Sequence, residues 1–274
     1  MSRARSSMKI GLVICLIGTA ILAYTFIEPY RIETKIHDIK ANIPNEFNNY
    51  KIAFLSDIHH GSYFSRDRVK KVVEKVNRMN ADLILLGGDY VHRDKKYITP
   101  CFEELANLKA RDGVYAVLGN HDHWESKDIS IAAIMKSNIR YFDNDAQWIY
   151  RNGSRIKIGG VGDWFEGRPN MEPTINDVSE GDFVVLVTHN PDYAEDIKND
   201  KIDLVLSGHT HGGQVTFFGL WAPIIPSKYG QRYRTGVVNT EYTKVIVSNG
   251  IGTITPPVRF FARPQIIQVV LNAN

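Results

Sequence analysis

The 274-residue sequence has 43 % hydrophobic and 23 % charged residues, a balance typical of a folded globular protein and too apolar for a disordered chain. Its formal net charge of only +3, without a basic cluster interleaved with aromatic residues, argues against a nucleic acid partner. The two cysteines, Cys15 and Cys101, exclude a disulfide framework within the globular part, because only Cys101 lies there.

The first predicted element is an apolar N-terminal helix. Residues 10–27 carry no charge over 18 positions, and a membrane-spanning helix needs about 20 apolar residues. A cleavable signal peptide has a shorter apolar run and a small-residue cleavage site, which "EPYRIE" does not offer. We therefore predict an uncleaved membrane anchor over residues 1–30, with a signal peptide and a buried core helix as alternatives. Basic residues balance on its two sides, so its orientation stays open.

Residues 31–49 are predicted to form a juxtamembrane strand and linker, with Pro44 as turn material, and residues 50–274 to form the catalytic domain. From residue 50 strands alternate with helices, which predicts an α/β domain with parallel strands at its core. The first strands are predicted at 51–57, 81–89 and 113–122, and the helices at 67–79, 101–108 and 129–137. Later strands are predicted at 147–151, 155–162, 182–189, 203–209, 214–218, 244–250 and 265–271.

Polar clusters follow five of these apolar strands. They read "SDIHHG", "GGDYVHRD", "GNHDHW", "THNP" and "SGHTHGG", and they contain eight of the nine histidines, all except His37. Isolated histidines are usually solvated, but ordinary surface histidines would be scattered along the chain. Because ligands gather at the carboxyl ends of strands in α/β sheets, we expect these clusters to converge on one place.

The composition of the clusters indicates a metal site. On extended backbone His209 and His211 point the same way, so both can face one object. Mixed carboxylate, amide and imidazole ligands suit Mn, Fe or Zn, and the lack of thiolates excludes a structural cysteine-zinc site. Two divalent ions about 3.5–4 Å apart can bind a phosphoryl group and lower the pKa of a shared water to about 7. A bridging ligand would have to be a carboxylate, and Asp89 is the best placed.

In this order, "DIH", "GDY", "GNHD", "THNP" and "GHTHGG" resemble the calcineurin-like metallophosphoesterase superfamily over residues 50–250. The resemblance implies a four-layer αββα sandwich of two mixed β-sheets flanked by helices, here with an N-terminal transmembrane helix. It also implies two divalent metal ions and hydrolysis of a phosphoric ester or pyrophosphate. The implied ligands of one ion are Asp57, His59, Asp89 and His211, and those of the other are Asp89, Asn120, His189 and His209. By the same resemblance, His121 binds phosphate and protonates the leaving group.

One position departs from the family pattern. Many members carry a second aspartate three residues after the bridging one, where it partners the acid histidine, and here that residue is His92. Asp122 is a candidate substitute. His60 and His123 match no ligand position, and we expect a supporting or surface role for them, as for His92.

The anchor, "EPYRIE", "GHTHGGQ" and "RFFARPQI" resemble a membrane-linked bacterial branch that includes UDP-2,3-diacylglucosamine hydrolases of lipid A synthesis and broader phosphodiesterases. This implies a single anchor in the bacterial inner membrane and a lipid-linked or nucleotide-sugar phosphate substrate. Apolar loops near the expected site suit lipid contact or ordinary packing. Arg168, Arg259 and Arg263 are candidate phosphate partners or surface residues. A broad phosphodiesterase or phosphatase on soluble or envelope substrates is the alternative, and a non-catalytic scaffold is a remote one.

Overall fold

The computed structural model describes the backbone of residues 2–274 and the side chains of residues 9–274. Helix α1 (Ser2–Ile27) leads into the domain through a short 3₁₀ turn at Glu28–Tyr30. The segment Lys9–Tyr30 is long and apolar enough to cross a membrane by length and composition, and its most apolar stretch lies outside the core.

Within the described residues, the first sheet has the strand order β1-β12-β2-β3-β4-β5. Its strands are β1 (Glu33–Ala41), β2 (Tyr50–Leu55), β3 (Leu83–Leu86), β4 (Val114–Ala116), β5 (Arg140–Tyr141) and β12 (Gln265–Ala273). Strands β2 to β5 are parallel, and β12 runs antiparallel to β2 and parallel to β1. The alternation of strands and helices predicted this parallel centre correctly.

The second sheet has the order β10-β11-β9-β8-β7-β6 in the part of the chain that the structure describes. Its strands are β6 (Asp145–Arg151), β7 (Ser154–Gly160), β8 (Phe183–Val187), β9 (Leu204–Ser207), β10 (Gly236–Asn239) and β11 (Lys244–Val247). Strands β7, β8, β9 and β11 are parallel, while β6 and β10 add antiparallel edges. Both sheets are therefore mixed.

The two sheets pack face to face through alternate side chains of their strands. Ile52 and Phe54 of β2 belong to the core between the sheets, whereas Ala53 and Leu55 face the helices, as the two-residue period of a strand requires. The helices on that outer face are α2 (Arg66–Asn77), α3 (Ile98–Leu105) and α4 (Asn120–Lys136). The other outer face carries the short helix α5 (Glu172–Ile175) and a 3₁₀ segment at Pro191–Asp196. The expected two-sheet sandwich is confirmed, with a thinner layer on the second sheet.

The strand expected within residues 31–49 is β1, which pairs with β12 along its whole length, so the sheet begins before residue 50. Two other local predictions are corrected. The helix expected at 129–137 begins at Asn120 and is interrupted at Ser126, where φ is 177°. The strand expected at 214–218 is a loop with isolated bridges from Val215 to Phe260 and from Phe217 to Trp221, because neighbouring loops rather than a sheet edge supply its partners.

Candidate metal centre

The predicted ligands meet at the carboxyl ends of five strands. Asp57 and His59 follow β2, Asp89 follows β3, Asn120 and His121 follow β4, His189 follows β8, and His209 and His211 follow β9. Both sheets contribute, so the site lies where the two layers meet. All of these residues are buried except His121, which is half-buried.

Asp57, His59 and His211 form the first cluster, in which one potential ligand atom from each residue lies within 4.8 Å of the others. His59 Nε2 is 3.1 Å from His211 Nε2, and His211 Nε2 is 3.5 Å from Asp57 Oδ1. Nitrogen and oxygen atoms of three distant segments thus point at one small volume, as the ligands of a single ion must.

Asp89, His189 and His209 form the second cluster under the same 4.8 Å limit. His189 Nε2 is 3.3 Å from Asp89 Oδ2 and 3.2 Å from His209 Nδ1. Asp89 Oδ2 also lies 3.5 Å from His59 Nε2 of the first cluster. One carboxylate oxygen therefore touches both clusters.

The backbone of these residues is unusual. Five of them have positive φ: Asp57 (52°), His59 (46°), Asp89 (57°), His209 (69°) and His211 (53°). Each such residue costs on the order of 1–3 kcal/mol, and such residues concentrate at functional sites. Gly208 shows how tightly the turn is packed, because a Cβ there would collide with the carboxylate of Asp57. The glycine before the paired histidines is thus required by close approach.

Burial sets the protonation of the first cluster. It lowers the pKa of His59 well below 6.5, and together with the neighbouring charges of His59 and Arg259 it does the same for His211. It also raises the pKa of the Asp57 carboxyl to about 6. The two imidazoles are therefore neutral at pH 7, and each keeps a lone pair available for coordination.

The second cluster behaves differently. Burial and the nearby His189 lower the pKa of His209 to about 3. Burial alone would lower the pKa of His189 and raise that of Asp89, but their mutual attraction raises the former well above 6.5 and holds the latter well below 3.8. Without metal, His189 and Asp89 form a buried ion pair.

The donor set fits divalent cations. Among the described side chains, the Asn120 Oδ1 and His209 Nε2 atoms are buried without a hydrogen-bond partner. A buried acceptor without a donor is costly, and two neutral imidazole nitrogens 3.1 Å apart gain most if a cation lies beside them. Carboxylate, amide and imidazole together match borderline divalent ions.

Comparison with known proteins agrees with this geometry. Residues 50–213 match the family model described as calcineurin-like phosphoesterase. The uncharacterized metallophosphoesterase YkuE of Bacillus subtilis is 34 % identical over 259 residues, covering 91 % of this chain and 88 % of the relative. The chain belongs to the calcineurin-like phosphoesterase family.

Two further proteins are similar in different ways. A zebrafish (Danio rerio) protein named "Transmembrane protein with metallophosphoesterase domain" is 27 % identical and covers 94 % of this chain, which spans 62 % of that relative. The structure of the NAD nucleotidase NadN of Haemophilus influenzae aligns with a TM-score of 0.51 at 14 % identity, over 74 % of this chain and 45 % of NadN. The second likeness shows a shared fold.

Membership in the family makes this chain a metal-dependent hydrolase of phosphoric esters that uses two divalent metal ions, and its Asp/His clusters are suited to hold them. In this phosphoesterase, buried groups behind the ligands fix their orientation, as is usual for metal sites. The Gly87 carbonyl lies 2.7 Å from His189 Nδ1, so it fixes that ring with Nε2 facing Asp89.

Arg259 is a supporting residue whose role the sequence did not indicate. It is fully buried, and burial lowers the pKa of its guanidinium to about 10. The guanidinium donates to the carbonyls of Ala262 (2.7 Å), Asn249 (2.7 Å), Gly252 (2.6 Å) and His211 (3.3 Å). Its donors are therefore occupied by the protein itself, so Arg259 matches neither of the two alternatives expected for it, a phosphate partner or a surface residue.

The other two candidate arginines, Arg168 and Arg263, and the histidine His60 make fewer hydrogen bonds than Arg259 does. Arg168 is exposed, and Arg263 lies 3.8 Å from the Glu33 carboxylate. His60 Nδ1 lies 2.7 Å from the Phe64 carbonyl, outside the two ligand clusters.

The surroundings of His121 settle the question raised by His92. Asp122 is fully buried and accepts from the backbone N–H groups of Asp89 (2.7 Å), Tyr90 (2.9 Å) and Gly119 (2.9 Å). It therefore ties the start of α4 to the turn after β3, and the expectation that it substitutes as partner of His121 is wrong.

His121 instead lies among aromatic rings. Its ring centroid is 4.8 Å from that of His59, 5.3 Å from that of His92 and 4.7 Å from that of Trp124. Ligand atoms of His59, His92 and His121 also lie within 4.8 Å of one another. Burial and the nearby His121 lower the pKa of His92 to about 4, so His92 is a neutral neighbour rather than an anionic one.

Proposed function

We propose that this chain is a membrane-anchored phosphohydrolase that cleaves a phosphodiester or pyrophosphate bond. Asp57, His59 and His211 would hold one ion, and Asp89, His189 and His209 the other, with Asp89 shared between them and the unpartnered Asn120 Oδ1 added to the second set. The observation that carries the proposal is the position of Asp89 Oδ2, which is 3.5 Å from His59 Nε2 and 3.3 Å from His189 Nε2. Bound ions would supply charge for the phosphoryl oxygens and an acidified water.

The remaining chemistry falls to the chain itself. His121 is held at the mouth by its backbone N–H, which donates to Asp89 Oδ1 at 2.9 Å. We assign it the transfer of a proton to the leaving oxygen, a role that typically contributes about 10²–10⁴-fold. Its half-exposed ring is accessible to substrate, whereas the ligand side chains behind it are buried.

The test of the reaction uses the full chain in detergent with added Mn²⁺ and bis-p-nitrophenyl phosphate. We expect hydrolysis by the wild type and by His37→Ala, which removes the histidine outside the polar clusters. His121→Ala should lose more activity on a diester with an alkoxide leaving group than on the p-nitrophenyl ester, because p-nitrophenolate leaves without a proton. Equal activity of His121→Ala and wild type on both esters would remove the assigned acid.

For the substrate, we propose hydrolysis of UDP-2,3-diacylglucosamine to UMP and 2,3-diacylglucosamine 1-phosphate in lipid A synthesis. The resemblance of the anchor juncture and the C-terminal motif supports it, as do the exposed apolar loops beside the site. UMP release from this lipid would favour the proposal, and UMP release only from simple nucleotides would favour the broad phosphodiesterase. A metal-loaded chain that cleaves none of these compounds would favour the scaffold alternative.

For localisation, we propose a single anchor in the bacterial inner membrane. Helix α1 and the zebrafish relative named as a transmembrane protein support an anchor. A UDP-linked substrate requires the catalytic domain on the cytoplasmic side. A reporter fused to the C-terminus would be active on that side, and an external position of the reporter would contradict this substrate.

A further inference from the structure

The loops after the paired histidines expose large apolar side chains. We call this surface the apolar rim: Phe217, Phe218, Leu220, Trp221 and Phe261, of which Leu220 is 79 % exposed. Soluble proteins rarely expose contiguous apolar surface unless something binds there. The rim therefore indicates contact with an apolar partner.

The rim is continuous with the end of α1. The Tyr24 ring is 6.1 Å from those of Phe260 and Phe261, and the Phe218 ring is 5.2 Å from that of Phe261. The backbone also joins them, since Arg259 N–H donates to the Thr25 carbonyl at 3.0 Å. An apolar helix and an apolar surface thus share one end of the molecule.

A groove leads from this region toward the metal centre. It is a cavity of about 240 Å³ that His211 helps to line, and its apolar walls are formed by Val215, Pro223, Ile224, Pro226, Ile254 and Pro256. Val215 lies in the bridge to Phe260, the residue that touches Tyr24, so the groove and the rim are built from the same two loops.

The longest polar side chain of the groove wall, Gln214, is already engaged. Gln214 donates to the Pro256 carbonyl at 2.8 Å and accepts from Ile254 N–H at 3.0 Å, which holds the two walls together. A polar head group would find apolar walls here, whereas a hydrocarbon chain would bury its surface favourably.

We infer that this groove binds a hydrocarbon chain of an amphiphilic phosphoester whose phosphate lies at the metal centre. The inference rests on the proposed phosphohydrolase function and adds the place in the fold that receives a hydrocarbon chain of the substrate. The chain would lie along Ile224, with the phosphate beyond His211.

The test measures kcat/KM for methyl, butyl and octyl 4-nitrophenyl phosphate with the full chain in lipid nanodiscs and Mn²⁺. Water cleaves each diester to the alkyl phosphate and 4-nitrophenol. A buried methylene is worth about a fourfold gain, so wild-type kcat/KM should rise with chain length until the groove is filled. Ile224→Ser and the groove-narrowing Ile224→Trp should lower the octyl-to-methyl ratio by about tenfold.

Met135→Ser is the matched control, because Met135 and Ile224 are similarly exposed (72 % and 77 %) but Met135 lies in α4, outside both the groove and the apolar rim. It should keep the wild-type ratio. An equal ratio in all four proteins, an equal fall in Met135→Ser, or no chain-length dependence in the wild type would each overturn the groove. Failure of the wild type to cleave even the methyl diester would instead overturn the proposed hydrolysis, and the groove proposal with it.

Discussion

The metal centre and the apolar rim depart in opposite ways from the usual rule that charged side chains are exposed and large apolar side chains are buried. Asp57, Asp89 and the four histidines proposed as ligands are buried, although buried charge and unpartnered polar atoms are costly. Phe217, Leu220 and Trp221 are exposed, although they would gain from burial. Metal ions bound at the centre would compensate for the first cost, and an apolar partner at the rim would cover the second surface. The comparison teaches that departures from this rule mark candidate binding sites.

The largest expected effect is that of a substitution in the metal centre. Asp89→Asn should lower kcat/KM by about a thousandfold or more, because Asp89 touches both clusters and bound ions supply several kcal/mol of stabilisation. Calorimetry should show fewer bound Mn²⁺ ions per chain. Asp67→Asn, at an exposed carboxylate in α2, is the control and should retain activity. Normal turnover by Asp89→Asn would remove the bridging role.

A smaller effect is expected at Arg259, which supports the candidate ligand His211 through its backbone carbonyl. Arg259→Lys keeps the charge but cannot span the carbonyls of Asn249, Gly252 and Ala262, because its donors sit on one atom. Metal affinity should fall by about 10–100-fold, since such supporting contacts orient ligands. Isothermal titration with Mn²⁺ measures it, with the half-exposed Arg232→Lys as the matched substitution. Unchanged affinity in both variants would show that His211 needs no support from Arg259.

The next effect is a dependence of metal affinity on pH. Between pH 7 and 8, His59, His209 and His211 are already unprotonated because burial lowers each pKa. His189 is the exception: its raised pKa means that a binding ion must displace one proton. The affinity of the second cluster should therefore rise about tenfold per pH unit until the raised pKa is passed.

Calorimetric Mn²⁺ titrations in buffers of different ionisation enthalpy would measure how many protons are released when the ion binds. Release of about one proton per chain at pH 7 would agree with a protonated His189 in the metal-free protein. A pH-independent affinity would mean that the His189–Asp89 pair is neutral before the ion arrives.

The smallest effect belongs to the rim. Leu220→Ser should change the free energy of unfolding by less than about 0.5 kcal/mol, because the side chain has little burial to lose. Leu85→Ala, in the core between the sheets, should cost about 2–5 kcal/mol. Urea denaturation compares the two. A loss of similar size in Leu220→Ser would show that the rim is part of the core after all.

Much of the fold was predictable, because apolar runs and helical spacing are local signals. The helix predicted at 67–79 is α2, and its buried residues Val69, Val72, Val73 and Val76 have helical spacing. Residues 214–218 were wrongly predicted as a strand, because an alternating pattern also occurs in a loop that forms bridges on two sides. The pairing partners decide between the two structures, and they are not visible in the local sequence.

The site residues were predictable where polar clusters follow strands, and their supporting residues were not. His121 and Asp122 are neighbours in sequence, yet the start of α4 turns one ring toward the mouth and the other side chain back to the backbone of Asp89. Arg259 lies 48 positions from His211 in the sequence, and no local sequence pattern predicts a contact over that separation. Such roles depend on tertiary packing, which spacing alone does not encode.

The junction after α1 has a mechanical consequence. The carboxylate of the buried Glu28 accepts from the N–H groups of Phe261 and Ala262, and the loop that carries these residues also carries the guanidinium bound to the His211 carbonyl. Helix α1 is therefore fixed to the domain by these hydrogen bonds and is not joined to it by a flexible linker. A membrane that held α1 would also hold the opening of the metal site at one height and one tilt relative to its surface.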